Sequence, residues 1–399
     1  MKKLLIAIII CTATVAANAM PFTIKGNIKG IMPGDTLSFE KIILPDYTAE
    51  AGFDVIVEKK NEFIYQGNHE HINYYSVTYK PRVGEVADAK KTGFSFLAKD
   101  GTTHLKGTIS DIYSLNIQSK IYDNILLQKY INLDNSLDKE QSYYLREGKK
   151  AIKAGKKVEG DKLIAKYNDF YSLREKEIDK LIKMEEKIYN DFPSLEYTVL
   201  QTLLGVKSNP FEETQEKYAK MNEQAKSEYL GTLLKQAIDK LALWQPGQAA
   251  PDFHLTSLSG REISLADLKG KYILIYHWGM CPGSLKIDKE VIELYEKYKE
   301  HLEIIGATAS IENIKNIYND TNEEYEIMGI KLKSVLKNML AHPWIDIDLV
   351  ANNYTLHKDY GFAGLPFFVI ISPDGKIIDR AFQKAFYTAK KELQEKFGE

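Results

Sequence analysis

The spacing of apolar residues changes twice along this chain of 399 residues, and those two changes constrain its fold more than any single motif. Residues 20–118 contain short aromatic and β-branched runs separated by Gly, Pro, Asp and Asn, a pattern typical of a β-sandwich or small barrel. Residues 119–243 repeat apolar side chains at helical spacing with Lys and Glu between them. Residues 244–399 alternate strand and helix patterns. The predicted fold is therefore multidomain, ending in an α/β domain with a mixed sheet flanked by helices.

The helical region has one clear helix start, "NPFEE" at 209–213, in which Asn209 suits the cap and Pro210 the first turn. We predict that a single helix begins here and that it has one apolar face. That face comprises Tyr218, Met221, Ala225, Tyr229, Leu233 and Ile238. Because no catalytic constellation is found among residues 119–243, the region is interpreted as a spacer or arm.

The first nineteen residues have the composition of a cleavable secretory signal. "MKK" is positively charged, "LLIAIII" is apolar, and "ANA" ending at Ala19 is a small-residue cleavage pattern. The apolar run is too short to span a bilayer as a stable helix. Cys11 suggests lipid attachment, but Ile10 stands where such a site needs a small residue. We expect export to the periplasm or cell envelope, where disulfides persist, with a retained anchor as the alternative.

The net charge and the histidines argue against nucleic acid and metal ions as partners. A formal net charge of −2 gives no electrostatic reason to expect nucleic acid as a partner. His69 and His71, in "NHEHIN", are interpreted either as metal ligands on one strand face or as part of a solvated strand face. The second interpretation is favoured because the sequence suggests no third ligand nearby. We expect neither a metal nor a cofactor.

Signal cleavage would leave one cysteine, Cys281, in the segment "YHWGMCPGS" at 276–284. It follows the apolar strand pattern "KYILIYHW" and precedes Pro282, a residue type that suits the first turn of a helix. Free N–H groups and the positive end of the helix dipole favour a thiolate at such a position. Ser284 is placed to donate its hydroxyl to the sulfur, and His277 is near in sequence. The alternative is that Cys281 is a small buried hydrophobe.

Two segments of the C-terminal third resemble the redoxin and TlpA-like branch, related to AhpC/TSA proteins, of the thioredoxin superfamily. "PGQAAPDFHLTSLSGREISLADLKGKYILIYHW" resembles the entry segment of that branch, and "YGFAGLPFFVIISPDGKIID" resembles the segment around its cis-proline. The resemblance covers about residues 245–399 and implies a thioredoxin-like fold for residues 244–399. Residues 20–243 resemble the N-terminal region of unknown function that precedes such domains in some exported bacterial proteins.

The resemblance implies a C-x-x-C site in which Cys281 holds the attacking position and Ser284 replaces the second cysteine. It also implies a cis peptide before Pro366, whose ring packs against the active cysteine, and a backbone contact between Leu365 and a bound polypeptide. Trp278 completes the predicted substrate-binding set. It also stands where peroxiredoxins need a threonine or serine to activate peroxide, so peroxidase chemistry of that type is not expected.

Further departures from the family pattern leave three functions open. Met280 replaces a common tryptophan, Ile287 replaces a common acid, and Pro282 and Gly283 reverse the usual Gly-Pro order. We favour a thiol-disulfide oxidoreductase that acts through mixed disulfides at its single cysteine. Its partners would be proteins with disulfides or thiols, with a membrane-bound redox partner as a candidate for recycling. The alternatives are a degenerate thioredoxin-fold protein that binds polypeptides without catalysis, and a scaffold with a buried cysteine.

Overall fold

The computed structural model describes residues 19–45, 48–82, 91–309, 311–322, 326–327 and 330–398. The predicted signal lies outside these residues except for Ala19. The chain divides into two compact units. The first contains the described residues up to Leu204 together with Gln215–Lys235, and the second contains Gly205–Thr214 and the described residues from Gln236 onward. The predicted domain boundaries at residues 118 and 243 stay predictions.

The first unit begins with two four-stranded β-sheets, as the aromatic and β-branched runs predict. The sheet orders are β4-β1-β7-β8 and β3-β2-β5-β6, and all neighbouring strands are antiparallel except β1 and β7. Inward side chains alternate with outward ones, as in β1, where Phe22, Ile24 and Ile28 are buried. The strands are β1 (Met20–Lys29), β2 (Thr36–Ile43), β3 (Thr48–Ile56), β4 (Glu62–His69), β5 (Asn73–Lys80), β6 (Lys91–Ala98), β7 (Gly101–Thr108) and β8 (Asn116–Gln118).

The two histidines of "NHEHIN" do not share a strand face, and the prediction of a solvated face is wrong for one of them. His69 ends β4 and is 8% exposed, with its ring stacked on Phe22 at 3.9 Å. A hydrogen-bonding distance of 2.6 Å joins its Nδ1 to Nδ2 of Asn73. His71 lies in the turn that follows and packs on Tyr229. Alternation along a strand predicts which side chains share a face, but a turn ends the alternation.

A helical region follows the β-sheets, as predicted. Two 3₁₀ helices, Ile109–Ser114 and Lys120–Tyr122, precede it. Its helices are α1 (Ile125–Lys153), α2 (Lys157–Asn168), α3 (Phe170–Leu173), α4 (Glu175–Asp191), α5 (Glu196–Gly205), α6 (Phe211–Ala219), α7 (Glu223–Ser227) and α8 (Tyr229–Ala242). No helix among the described residues has the length and apolar character that crossing a membrane requires.

The single helix predicted from residue 209 is wrong, because α6, α7 and α8 are separate helices. The first break is explained by Asn222, whose side-chain oxygen accepts a hydrogen bond from the backbone N–H of Ala225 at 2.8 Å and caps α7. A second break follows at Glu228, which has an extended backbone. The predicted apolar residues therefore divide among three helices and the break between α6 and α7, where Met221 lies.

The second unit contains a five-stranded mixed sheet in the order β15-β12-β11-β16-β17. Strands β15, β12 and β11 are parallel, whereas β16 is antiparallel to β11 and to β17. Two short hairpins, β9–β10 and β13–β14, lie outside this sheet. The strands are β9 (His254–Thr256), β10 (Glu262–Ser264), β11 (Tyr272–His277), β12 (Leu302–Thr308), β13 (Glu326–Ile327), β14 (Ile330–Lys331), β15 (Ile345–Asp348), β16 (Phe367–Ile371) and β17 (Ile377–Ala381).

Every residue of β11 and of β16 is buried, which explains why their sequences are continuously apolar. The helices of this unit are α9 (Pro282–Tyr298), α10 (Ile311–Asp320), α11 (Leu332–Met339), α12 (Thr355–Tyr360) and α13 (Gln383–Phe397), with a 3₁₀ helix at Leu265–Leu268. Side chains of α9, α11 and α13 join the core against the sheet. The predicted mixed sheet with flanking helices is confirmed, and it places the end of β11 beside the start of α9.

Candidate active site

Cys281 lies between β11 and α9, as predicted, and it is the N-cap residue of α9. Its sulfur accepts a hydrogen bond from the backbone N–H of Ser284 at 3.3 Å, and Ser284 Oγ lies 3.3 Å from the same sulfur. The thiol is free and half-buried. Donors at the positive end of a helix stabilise an anion, so this geometry suits a thiolate.

Ser284 connects the sulfur to the loop that precedes it. Its side chain is fully buried, and its hydroxyl oxygen accepts a hydrogen bond from the backbone N–H of Gly279 at 3.3 Å. The Oγ–Sγ distance of 3.3 Å lets this hydroxyl donate to the sulfur when Cys281 is a thiolate, which has no proton of its own to donate. A second thiol at this position would be close to Cys281. The serine instead supplies a hydrogen-bond donor that cannot form a disulfide.

The peptide bond between Leu365 and Pro366 is cis, as the resemblance of "YGFAGLPFFVIISPDGKIID" implied. A Cβ added at Gly283 would lie 2.7 Å from Cδ of Pro366 and 3.8 Å from the Cys281 sulfur. The proline ring and the sulfur therefore border the same point, and only glycine fits between them. Leu365 is 38% exposed, and its Cδ1 would lie 2.9 Å from a Cβ added at Gly279. Its side chain thus lies on the loop before Cys281.

The structure does not place Trp278 where a substrate can touch it. Its side chain is fully buried, and its indole N–H donates to Oδ1 of Asp346 at 3.1 Å. The prediction grouped it with Leu365 and Pro366 as a substrate-binding residue. The direction of a side chain relative to the sheet decides exposure, and this one points into the core. We assign Trp278 no direct contact with a substrate.

His277 also points away from the sulfur. Its Nδ1 lies 3.0 Å from the carbonyl oxygen of Gly364, and its ring stacks on Phe362 at 4.7 Å. Burial and then the neighbouring His357 lower the pKa of His277 to about 4, so it is neutral at physiological pH. An uncharged ring facing another part of the core does not activate Cys281.

A buried cluster of charged side chains, which the sequence analysis missed, lies beside α9. His342 Nε2 is 2.9 Å from Oδ1 of Asp288, and its Nδ1 is 2.9 Å from Oδ2 of Asp346. Tyr276 donates its hydroxyl to Oδ1 of Asp288 at 3.4 Å. Burial acts to lower the pKa of His342, but hydrogen bonds and charge from both carboxylates outweigh it and raise the pKa to about 9. The imidazole is therefore protonated at neutral pH.

Little in the sequence pointed to this cluster. His342 precedes a proline in "AHPW", which gives no hint of a charged partner. The available signal was Asp288, an acid among the apolar residues of the inner face of α9, where it is buried. Among the described residues, no group of three or more His, Cys, Asp or Glu side chains is arranged to hold a metal ion.

The model of the AhpC/TSA family matches residues 246–380. This match covers about a third of the chain and lies within the second unit. Residues 246–380 are similar to AhpC/TSA proteins and form an α/β domain with a thioredoxin-like fold. The predicted fold class is confirmed, with the β-rich and helical regions preceding this domain in the chain. No curated protein matches the chain.

Solved structures that are similar to this chain cover about as much of it as the family model does. One is the thioredoxin domain of a thiol-disulfide oxidoreductase from Bacteroides vulgatus, with 22% identity, 37% of this chain and 98% of that chain covered, and a TM-score of 0.28. Another is a thiol:disulfide interchange protein from Bacteroides sp., with 21% identity, 39% and 94% covered, and a TM-score of 0.29. Likeness of this size does not extend to activity or substrate.

Proposed function

We propose that this protein is a thiol-disulfide oxidoreductase that acts through mixed disulfides at Cys281. The observation that carries the proposal is the half-buried, free sulfur of Cys281, which caps α9 and has two hydrogen-bond donors from Ser284 within 3.3 Å. A merely structural cysteine needs neither an accessible sulfur nor donors aimed at it. The cis-proline beside Gly283 and the exposed Leu365 border the same site and provide a surface for a polypeptide.

The reaction consists of two exchange steps with no net change in the enzyme. The Cys281 thiolate attacks one sulfur of a substrate disulfide, forming a mixed disulfide and releasing the other substrate sulfur as a thiolate. A second thiolate, from the substrate or from a small thiol, then attacks the substrate sulfur of the mixed disulfide and releases Cys281 as a thiolate. Because Ser284 cannot act as the resolving thiol, this chemistry favours isomerisation or removal of small-thiol adducts over net reduction.

The same proposal includes the compartment and the partners. An exported protein in the periplasm or cell envelope meets oxidised proteins, and a disulfide-containing protein is the substrate class that suits an unpaired thiolate. The "MKKLLIAIII…ANA" segment supports export. Outside thiols, including those of a membrane-bound redox partner, would resolve the mixed disulfide.

The proposal is tested by trapping adducts in the exporting cell. Thiols are blocked with N-ethylmaleimide, and the protein is detected on non-reducing gels. We expect the wild type to carry disulfide-linked partners and Cys281→Ala to carry none. We expect Ser284→Cys to reduce the adducts by about tenfold or more, because an internal thiol has a much higher effective concentration than outside thiols.

The matched control is Ser259→Cys, which adds a thiol at an exposed position of the second unit, in the turn between β9 and β10. It should leave the adducts of Cys281 unchanged. If the wild type and Cys281→Ala give the same pattern, the enzymatic proposal is wrong. A non-covalent polypeptide-binding function then takes its place.

A further inference from the structure

The His342 cluster contains one positive and two negative side chains in a buried setting. The His342 side chain is 0% exposed, and the side chains of Asp288 and Asp346 are 3% and 11% exposed. Buried charges are costly unless opposite charges and hydrogen bonds compensate them. With His342 protonated, the cluster has a net charge of −1, and without that proton the net charge would be −2.

The cluster is connected to Cys281 through α9 and Tyr276. Asp288 lies seven residues after Cys281, about 10 Å along the helix axis at 1.5 Å per residue. The Tyr276 hydroxyl contacts Asp288, and burial raises the pKa of Tyr276 well above its usual range. Tyr276 lies in β11, five residues before Cys281, so its contact with Asp288 joins the strand before the cysteine to the helix after it.

We propose that His342 is a positioning residue for Cys281. His342 holds Asp288 and Asp346 and offsets their charge, so that a thiolate can form at the start of α9. The inference rests on the proposed function, since it explains how a reactive thiolate tolerates two buried carboxylates nearby. Without the imidazolium, an additional uncompensated negative charge would oppose the ionisation of Cys281.

The groups that face His342 define what its charge acts on. Asp288 approaches from α9, Asp346 from β15 and the Tyr276 ring from β11, at 6.4 Å between ring centroids. The remaining aromatic neighbours, Trp278 at 5.0 Å and Trp344 at 4.1 Å, are uncharged. The two carboxyl groups are therefore the acidic groups that contact the imidazole, and substitutions at His342 or Asp288 change the net charge of this cluster.

The test measures the pH dependence of iodoacetamide alkylation of the full chain, followed by mass spectrometry on the peptide that contains Cys281. One unit charge at about 10 Å and an effective dielectric constant of about 20 shifts an ionisation midpoint by about one pH unit. We therefore expect His342→Gln to raise the alkylation midpoint by about one unit. We expect Asp288→Asn to lower it by a similar amount.

Asp288→Asn is informative because it changes charge with little change in contacts. Both Tyr276 and His342 bond to Oδ1 of Asp288, and an asparagine oxygen can accept the same two hydrogen bonds. The double variant with His342→Gln has the wild-type net charge of −1, and its midpoint should return close to that of the wild type. Loosening of the site would shift both single variants in the same direction, and the double variant would not recover.

The control variant is His301→Gln, which makes the same substitution where the histidine stacks on Phe397 at 3.8 Å in the same unit. It should leave the alkylation midpoint unchanged. If His342→Gln and Asp288→Asn do not shift the midpoint in opposite directions, the inference is wrong and the proposed function stands. If Cys281→Ala has the wild-type adduct pattern, the proposed function fails whatever the alkylation series shows.

Discussion

At the scale of single residues, the pKa values of two buried histidines of the second unit are shifted in opposite directions. Burial is the largest influence on both and lowers the pKa of each. His277 has no carboxylate to oppose it and its pKa falls to about 4, whereas the two carboxylates around His342 raise its pKa to about 9. The state of a histidine thus depends on its partners more than on its exposure.

The raised pKa of His342 makes stability depend on pH in a defined direction. Unfolded histidine titrates near 6.5, so the folded state holds a proton between pH 6.5 and about 9 that the unfolded state has lost. The contribution of His342 is therefore complete below pH 6.5 and is lost as pH rises through 9. A shift from 6.5 to about 9 corresponds to about 3 kcal/mol.

We expect the free energy of unfolding of the wild type, measured by urea titration, to fall between pH 6.5 and 9 more steeply than that of His342→Gln. The substitution removes the titrating group, so the difference between the two proteins should shrink as pH rises. A difference that is constant over this range would show that His342 stabilises the fold through packing alone, without its charge.

At the scale of elements, helix boundaries in this chain follow single capping side chains. Asn124 precedes α1, the longest helix, and its Oδ1 accepts hydrogen bonds from the backbone N–H groups of Leu126 at 2.9 Å and Leu127 at 3.1 Å. Asn222 caps α7 in the same way. Each cap satisfies donors that would otherwise have no partner within the helix.

We expect Asn124→Ala to lower the free energy of unfolding of the first unit by about 1 kcal/mol, because it removes both capping hydrogen bonds. The measurement is urea unfolding followed by circular dichroism. Asn124→Asp is the matched control, since a carboxylate accepts the same bonds and suits the helix dipole. Equal destabilisation by both substitutions would contradict the capping role.

At the scale of the whole molecule, the two compact units can be followed by different optical probes. All three tryptophans, Trp244, Trp278 and Trp344, belong to the second unit. The first unit has its own aromatic core, in which Phe96 is fully buried and packs edge-on to Phe39 at 6.4 Å. Tryptophan fluorescence therefore reports on the second unit alone.

We expect Phe96→Ala to destabilise the first unit by about 3–5 kcal/mol, the usual cost of removing a buried aromatic side chain. The urea midpoint followed by circular dichroism should fall, while the midpoint followed by tryptophan fluorescence should not change. Leu274→Ala in β11 is the converse control and should lower the fluorescence midpoint. Equal shifts of both signals in Phe96→Ala would mean that the two units unfold as one.

The order of the β-rich, helical and α/β regions and the position of Cys281 between a strand and a helix could be predicted from the sequence, because they follow from the local spacing of apolar residues. The cis bond before Pro366 was expected from the resemblance of its segment to redoxin and TlpA-like proteins. The split of the predicted long helix into α6, α7 and α8 was missed because weak apolar periodicity continued across the Asn222 cap.

The directions of the side chains near Cys281, and the distant residues that meet near it, depend on how the chain packs in three dimensions. Trp278 and His277 are neighbours in sequence, yet each points to a different part of the core and neither reaches the sulfur. Asp346 lies only four residues after His342, but Asp288 is 54 residues before it on α9. Asp288 meets the other two because β15, β12 and β11 pair in parallel while α9 packs on the sheet. Periodicity indicates the face on which a residue lies. The partner of a buried charge depends on which distant segments of the chain pack together.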